Sequence, residues 1–187
     1  MTTRHEKFAE AVTHLLQAAG VDLADPELKG TPQKVAELWL DDLLKGTSED
    51  PAEILQKTVP GTSDAVFVFD LSFHSMCPHH LLPYRGRVHV GYLPKDKLVG
   101  FGRLARLVTC LSRRLTLQEN ICEEIPQLLI EHLDARGAGC VIEAEQLCLA
   151  LPDDRHEGSL VLTSSFAGEF AERSELRQRL LNRPKKI

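Results

Sequence analysis

The 187-residue sequence contains no long apolar run, no excess of basic residues and no even set of cysteines. A membrane-spanning helix needs roughly 20 consecutive apolar residues, and the polar start of the chain lacks the apolar segment of a secretory signal. The formal net charge of -5 argues against nucleic acid as a partner, because phosphate binding favours a basic surface. We therefore expect a cytoplasmic protein that binds neither a membrane nor nucleic acid.

The cysteines are not arranged as a disulfide framework, because there are five of them and no export signal precedes them. Cys110, Cys122 and Cys140 lie in apolar stretches and are interpreted as small buried hydrophobic residues. Cys77 and Cys148 remain as candidates for chemistry. The chain also lacks internal repeats and low-complexity segments, so its length suggests one compact domain with a small helical extension.

The first part of the chain has helical periodicity. Residues 5–19 repeat apolar side chains at helical spacing. A second helix is predicted with Thr31 as its N-cap, Pro32 at its first position and Gly46 just past its end. Residues 47–64 are rich in turn-forming residues. We predict an N-terminal helical segment and linker over 1–62, followed by a catalytic domain over 63–187.

The second part of the chain mixes strands and helices. The predicted elements run in the order strand 64–75, strand 85–93, two helices, strand 139–151, strand 159–166 and a closing helix from residue 174. Pro126 is expected to kink or divide the second of the two helices, because proline removes a helix hydrogen bond. The order predicts an α+β fold in which helices cover one face of an antiparallel β-β-α-α-β-β sheet.

The densest polar cluster is the run Cys77-Pro78-His79-His80, in the loop after the first strand. A cysteine and a histidine three residues apart can reach one metal ion, and thiolate with imidazole suits Zn²⁺. This spacing is common by chance and does not identify a metal site by itself. Cys148, in a stretch expected to be a strand beside the first one, would supply a third ligand.

Three protein ligands leave a fourth zinc position for water, as in a catalytic site. Zinc lowers the pKa of bound water to about 7, so the predicted reaction is a hydrolysis. His79 is then a candidate proton donor or acceptor, although it could also act only as a hydrogen-bond donor that orients a ligand.

Several separate motifs resemble those of the GTP cyclohydrolase I family, from about residue 8 to residue 180. The matching positions are Thr31-Pro32, Phe73, Ser75-Met76-Cys77, His79-His80, Gly91-Tyr92-Leu93-Pro94, Gly100, Leu104-Ala105-Arg106 and Leu117-Gln118-Glu119. The resemblance implies the tunnelling fold (T-fold) and a ring-shaped homo-oligomer, a decamer, with active sites between subunits. It also implies the conversion of GTP and water to formate and dihydroneopterin triphosphate.

The resemblance assigns roles to individual residues. It implies that Cys77, His80 and Cys148 bind zinc and that His79 moves protons at the imidazole ring of the purine. Gln118 and Glu119 are expected to bind substrate, with the Glu119 carboxylate accepting hydrogen bonds from the guanine edge. An alternative for Glu119 is a helix capping box with Thr116, and both roles could hold together.

Two departures from the family lie at the reaction centre. The family has a catalytic histidine two residues before its last zinc-binding cysteine, and this position is Gln146 here. Glutamine forms hydrogen bonds but does not transfer a proton near pH 7. A glutamate of the family's zinc loop is replaced by Pro78. We expect Gln146 to occupy the catalytic position without its proton transfer, so that the reaction could stop at the ring-opened formamide.

Three further departures concern the triphosphate. Positions that hold a lysine, a serine and an arginine in the family carry Glu37, Gly102 and Pro152. Arg103 and Arg106 remain as expected phosphate ligands, one helical turn apart. Arg155 and His156, in the following loop, are candidates to compensate, although such residues often serve only solubility.

The preferred hypothesis is therefore a zinc-dependent cyclohydrolase that opens the imidazole ring, at C8, of a guanine nucleotide or nucleoside with fewer phosphates than GTP. One alternative is conventional GTP cyclohydrolase I activity. Another is a non-catalytic zinc-binding paralogue, which would have little use for a carboxylate that reads guanine.

Overall fold

The computed structural model describes residues 2–62, 64–152, 156 and 158–182. The chain divides into two compact units, Met1–Lys45 and Gly46–Ile187. The predicted domain boundary after residue 62 stays a prediction. Among the described helices, none is both long and apolar enough to cross a membrane.

The first unit is helical. Helix α1, Arg4–Ala18, begins with a capping box in which Thr3 and Glu6 exchange hydrogen bonds. Helix α2, Thr31–Glu37, follows and continues as a π-helical stretch, Leu38–Leu43. The predicted N-cap role of Thr31 is wrong. Gly30 precedes the helix in a left-handed conformation, with φ 76°, and Thr31 is itself the first helical residue.

The second unit has the mixed composition of an α+β fold, as predicted. Its elements are α3 (Pro51–Leu55), β1 (Thr58–Pro60), β2 (Val66–Met76), β3 (Pro83–Leu93), β4 (Lys97–Val99), α4 (Phe101–Ser112), α5 (Gln118–Leu133), β5 (Gly137–Gln146), α6 (Leu147–Ala150), β6 (Leu160–Gly168), α7 (Glu169–Glu172) and α8 (Ser174–Leu181).

Four strands form an antiparallel sheet in the order β2-β3-β5-β6. Tyr84, near the start of β3, pairs with Ser75 of β2 on one side and with Gln146 of β5 on the other. The C-terminal ends of β2 and β5 therefore lie at the same end of the sheet, on either side of β3. This register brings the loop after β2 and the helical turn after β5 close together.

The core lies between the sheet and helices α4 and α5. On β5, Cys140 and Ile142 point into this core, whereas Val141 belongs to a second apolar cluster with Phe170 of α7 and Leu180 of α8. Side chains alternate across a strand, so the two clusters lie on opposite faces of the sheet. The helices α4 and α5 cover one face, as predicted, and α7 and α8 cover part of the other.

Two predictions about local structure are wrong, namely the division of a helix at Pro126 and a strand at Cys148, while the alternative of a kink at Pro126 stays a prediction. Helix α5 is not divided at Pro126, which is buried inside a continuous helix between the buried residues Ile125 and Leu129. Burial of these residues against the sheet outweighs the hydrogen bond that proline removes. Strand β5 ends at Gln146, so Cys148 lies on the short helix α6 and not in a strand.

Gly86 allows β3 to approach β5 closely. A Cβ atom at Gly86 would lie 1.8 Å from the backbone oxygen of Glu143. We expect Gly86→Ala to lower the free energy of unfolding by about 2–3 kcal/mol, because backbone atoms must move apart. Urea unfolding followed by circular dichroism measures the change. Gly102→Ala, where no atom lies within 4 Å of the added carbon, is the control and should be neutral or slightly stabilising. Equal losses in the two variants would contradict the packing argument.

Candidate metal and catalytic site

A tight loop after β2 carries the first two candidate ligands. The Cys77 amide donates to the Leu82 carbonyl, and the Leu81 amide donates to the Cys77 carbonyl, each at 2.9 Å. Leu81 adopts a left-handed conformation, φ 54°, which lets the chain reverse within six residues. As a result Cys77 is buried, with 6% exposure, while His79 and His80 lie on the surface of the loop.

The loop and helix α6 bring Cys77, His80 and Cys148 together. The metal-binding atoms of these residues all lie within 4.8 Å of one another, and Cys77 Sγ is 3.9 Å from His80 Nδ1. Two ligands of one tetrahedral zinc ion, bound at about 2.0–2.3 Å, are about 3.5–3.8 Å apart. The three side chains therefore fit one zinc ion after small movements, and two thiolates with an imidazole are a donor set that zinc prefers.

The Cys77 and Cys148 thiols lie close enough to influence each other's ionisation. Burial and the adjacent Cys77 thiol raise the pKa of Cys148 above its ordinary value. Two thiolates so close together repel each other in the absence of a cation. A divalent ion removes that repulsion and holds both sulfurs in the deprotonated form.

A cavity of about 240 Å³ lies beside the three candidate ligands. Its lining includes most of the residues to which the sequence assigned chemistry: Cys77, His79, Gln118, Glu119, Gln146 and Cys148. These residues come from the loop after β2, from the start of α5 and from the end of β5 with α6. One concave site thus holds a metal-binding group, an exposed histidine and a carboxylate.

Glu119 lies in the first turn of α5. The N-cap of this helix is Leu117, and the structure gives it no side-chain cap hydrogen bond. The predicted capping box between Thr116 and Glu119 is therefore wrong. The Glu119 carboxylate is free of that local role and lines the cavity.

The buried Gln118 and the half-buried Gln146 form an amide pair. The Gln146 Nε2 atom donates to Gln118 Oε1 at 2.7 Å. The Gln118 Nε2 atom lies 3.0–3.1 Å from three acceptors, which are Ile142 O, Val161 O and Thr163 Oγ1. Gln118 also lines the cavity, although it is only 2% exposed, and its binding of substrate stays a prediction.

Tyr84 is a cavity residue that sequence reasoning missed. Its hydroxyl donates to the Thr116 carbonyl at 2.9 Å, two residues before Gln118. Burial, above all, raises the pKa of this hydroxyl beyond its usual range, so it stays a neutral donor. The only sequence signal was a tyrosine at the start of a strand, which is more often a core residue.

Comparison with known proteins decides the family. The family model described as GTP cyclohydrolase I matches residues 8–185. The chain belongs to the GTP cyclohydrolase I family. Members of this family are hydrolases that act on cyclic amidine C–N bonds, and the T-fold expected from the sequence is the fold of the family.

Curated bacterial relatives named GTP cyclohydrolase 1 match nearly the whole chain. The protein of Chromobacterium violaceum is 45% identical over 93% of this chain and 85% of the relative. That of Ralstonia nicotianae is 42% identical over 94% of this chain and 85% of the relative. That of Campylobacter lari is 36% identical over 97% of this chain and 98% of the relative.

The two residues predicted to bind phosphate lie in another cavity. Arg103 and Arg106 line a space of about 320 Å³ that shares no described residue with the cavity beside Cys77. Arg103 donates to the Ile54 carbonyl at 3.0 Å, and Arg106 forms an ion pair with Glu49 at 3.2 Å. Lys57 also lines this space and was not foreseen from the sequence.

The remaining candidates for phosphate binding lie elsewhere. Arg155 falls outside the described residues, and His156 is exposed. Gly102 is the second residue of α4, with open space around its α-carbon. Glu37 ends α2 in the first unit.

Proposed function

We propose that this protein is a zinc-dependent cyclohydrolase that opens the imidazole ring, at C8, of a guanine nucleotide or nucleoside. The observation that carries the proposal is the cluster of Cys77, His80 and Cys148, two of which, Cys77 and Cys148, line one cavity together with Glu119. A metal site alone would suit many hydrolases. The carboxylate beside it suits a purine that offers two adjacent N–H donors.

The guanine edge would lie against Glu119. A carboxylate accepts hydrogen bonds at both of its oxygens, and guanine offers the ring N1–H and the amino group side by side. Adenine has no donor at N1, so the same carboxylate discriminates between the two purines. The cavity is about 240 Å³, and its lining is mainly apolar around these few polar groups, as expected of a small-molecule site.

The chain supplies three ligands for zinc and leaves other positions of the ion open. When bound, zinc supplies a nucleophile at neutral pH by lowering the pKa of water. His79 lines the same cavity and is exposed, so it can take or give a proton at the imidazole ring of the substrate. Gln146 can orient a group there but cannot move a proton.

A substrate with fewer phosphates than GTP is supported by the charge of the second cavity. Lys57, Arg103 and Arg106 face an equal number of carboxylates, which belong to Glu49, Asp50 and Glu53. The Glu49 carboxylate already pairs with Arg106. A triphosphate would have to displace this pair and approach the other acids, which weakens its binding.

Conventional GTP cyclohydrolase I activity is the second candidate. Relatives of that name, at 36–45% identity over most of the chain, favour it. Under this proposal Arg103 and Arg106 leave their present partners and bind the triphosphate.

One assay separates the two candidates. Zinc-loaded protein is incubated with guanosine, GMP, GDP and GTP, and mass spectrometry follows purine loss, formate and any pterin. We expect kcat/KM for at least one less phosphorylated substrate to exceed that for GTP by about tenfold, because the three carboxylates of the second cavity neutralise its cations and repel added phosphates.

The control for this assay is protein stripped of metal, which should turn over none of the four compounds. Preference for GTP, with a pterin product, would contradict the less phosphorylated substrate and establish the conventional activity. Absence of turnover with all four would contradict both and favour a non-catalytic paralogue.

We also propose that the chain assembles into a ring-shaped homo-oligomer, with a decamer as the expected size. Strands β2 and β6 are the two edges of the described sheet, and edges can pair with neighbouring chains. Leu160 and Leu162 on β6 are 68% and 58% exposed, which is unfavourable in a monomer. The separation of the two cavities also suits a site completed by two subunits. Light scattering after size-exclusion chromatography tests the assembly.

A further inference from the structure

The amide pair Gln118–Gln146 has only one chemically allowed orientation. Carbonyl oxygens of Ile142 and Val161 lie 3.1 and 3.0 Å from one end of the Gln118 carboxamide. Backbone carbonyls only accept hydrogen bonds, so that end must be the NH₂ group. The Gln118 oxygen must then face Gln146.

The orientation of Gln118 determines that of Gln146. The Gln118 side-chain oxygen lies 2.7 Å from the Gln146 carboxamide. An oxygen needs a hydrogen-bond donor opposite it, so the Gln146 NH₂ group faces Gln118. The Gln146 oxygen is on the other side of its carboxamide. Among the described residues, this oxygen has no hydrogen-bond partner, and Gln146 lines the cavity beside Cys148 and Glu119.

We infer that Gln118 is a positioning residue that locks the Gln146 carboxamide with its oxygen directed into the cavity. Gln146 then acts as a fixed hydrogen-bond acceptor for an N–H or O–H group of the substrate. This inference rests on the proposed function for the identity of the substrate. The orientation of the two amides depends only on the chain's own hydrogen bonds.

The burial of Gln118 explains how the lock is held. Its carboxamide is tied to β5 through Ile142 and to β6 through Val161 and Thr163, and it is 2% exposed. A half-exposed glutamine such as Gln146 would otherwise sample both amide orientations and several rotamers. Anchoring it to a buried group removes that freedom before substrate binds.

A double-mutant cycle tests the positioning role. Gln118→Met keeps the length of the side chain but removes its hydrogen bonds. We expect about a tenfold loss of kcat/KM, the effect of one misplaced hydrogen bond, with zinc still bound. When Gln118→Met is added to the Gln146→Met enzyme, kcat/KM should fall by less than about a further twofold, because Gln118 acts only through Gln146.

The matched control is Thr163→Val, which removes one acceptor of Gln118 but keeps both backbone carbonyls. It should leave kcat/KM within about twofold of the original value, since the orientation persists. If the two single losses of kcat/KM multiplied in the double variant, Gln118 would act independently of Gln146 and the inference would be overturned. A Gln118→Met enzyme as active as the original would overturn it too.

Crystal structures provide a readout that does not need turnover. In the zinc-loaded protein, the Gln146 side chain should occupy one position against Gln118, and in Gln118→Met it should leave that position. An unchanged Gln146 in the variant would overturn the inference. If the original protein turns over no guanine compound, the proposed function fails, whereas this structural comparison still decides the orientation.

A second variant guards against misfolding of the Gln118 substitution. Gln146→His changes a half-buried position at the end of β5. A ring N–H should donate to Gln118 Oε1, with the other ring nitrogen facing the cavity as an acceptor. A histidine that turns away from Gln118 would contradict the lock.

Discussion

Cys148→Ala is expected to abolish zinc binding and to reduce turnover of guanine compounds at least about 1,000-fold. Cys148 is one of the three side chains whose metal-binding atoms lie within 4.8 Å of one another. With only Cys77 and His80 left, the site loses a negatively charged ligand, and two protein ligands bind zinc weakly. After dialysis, bound zinc should fall from one ion per chain to below about a tenth of that.

The measurements are zinc content by plasma mass spectrometry and the rate of formate release. Cys122→Ala is the control, because Cys122 is a free cysteine that lies outside the cluster. It should keep its zinc and its activity, apart from a modest loss of stability. If Cys148→Ala retained one zinc ion per chain, the assignment of Cys148 as a ligand would be wrong.

Glu119→Gln is expected to lower kcat/KM for guanine compounds by about 100-fold or more. The carboxylate can accept two charge-assisted hydrogen bonds from guanine, each worth about 1.5–3 kcal/mol. The amide replaces one acceptor with a donor, which faces a donor of the base. Glu119 lines the cavity beside Cys77 and has no capping role at the start of α5, so neither the zinc nor the helix should be affected.

The control for this prediction is Glu123→Gln, one helical turn further along α5 and exposed. Its kcat/KM should stay within about twofold, as is usual for an exposed surface substitution. Zinc content and the thermal unfolding temperature of both variants should match those of the original protein. An active Glu119→Gln enzyme would mean that another group reads the base.

The metal site illustrates what local sequence can and cannot provide. Cys77 and His80 are three residues apart in one loop, so their spacing alone suggested a shared ion. Cys148 is distant in sequence, and only the pairing of β3 with both β2 and β5 brings it to the loop. The resemblance to a family named Cys148 as a ligand. The sequence predicted a strand at this residue, but it lies on the helical turn α6.

The reason for that error is the composition of the segment after β5. Residues 147–151 are almost entirely apolar, and a short apolar run does not distinguish a strand from a helix. In the structure the strand ends at Gln146, and Leu149 and Leu151 are exposed. Cys148 on this helical turn lies close to Cys77 and His80.

The amide pair shows a second limit. Gln118 was assigned to the site by a matched motif and Gln146 by its place where the family has a histidine, and nothing in the sequence connects the two. Their hydrogen bond, and the three acceptors that orient Gln118, depend on contacts between α5, β5 and β6. The sequence therefore named the residues, and the packing of these elements revealed the direction in which each one presents its polar atoms.

The sequence by itself determined the α+β class, the candidate metal-binding residue types and membership of the GTP cyclohydrolase I family, since periodicity and motif spacing are local properties. Only the tertiary structure decided that Cys77, Cys148 and Glu119 line one cavity, while Lys57, Arg103 and Arg106 line another together with three acids. The physical reason is that strand register and helix packing join residues far apart in the chain. Charge neutralisation and hydrogen-bond direction depend on the distances between these residues in the folded chain, which no local sequence pattern encodes.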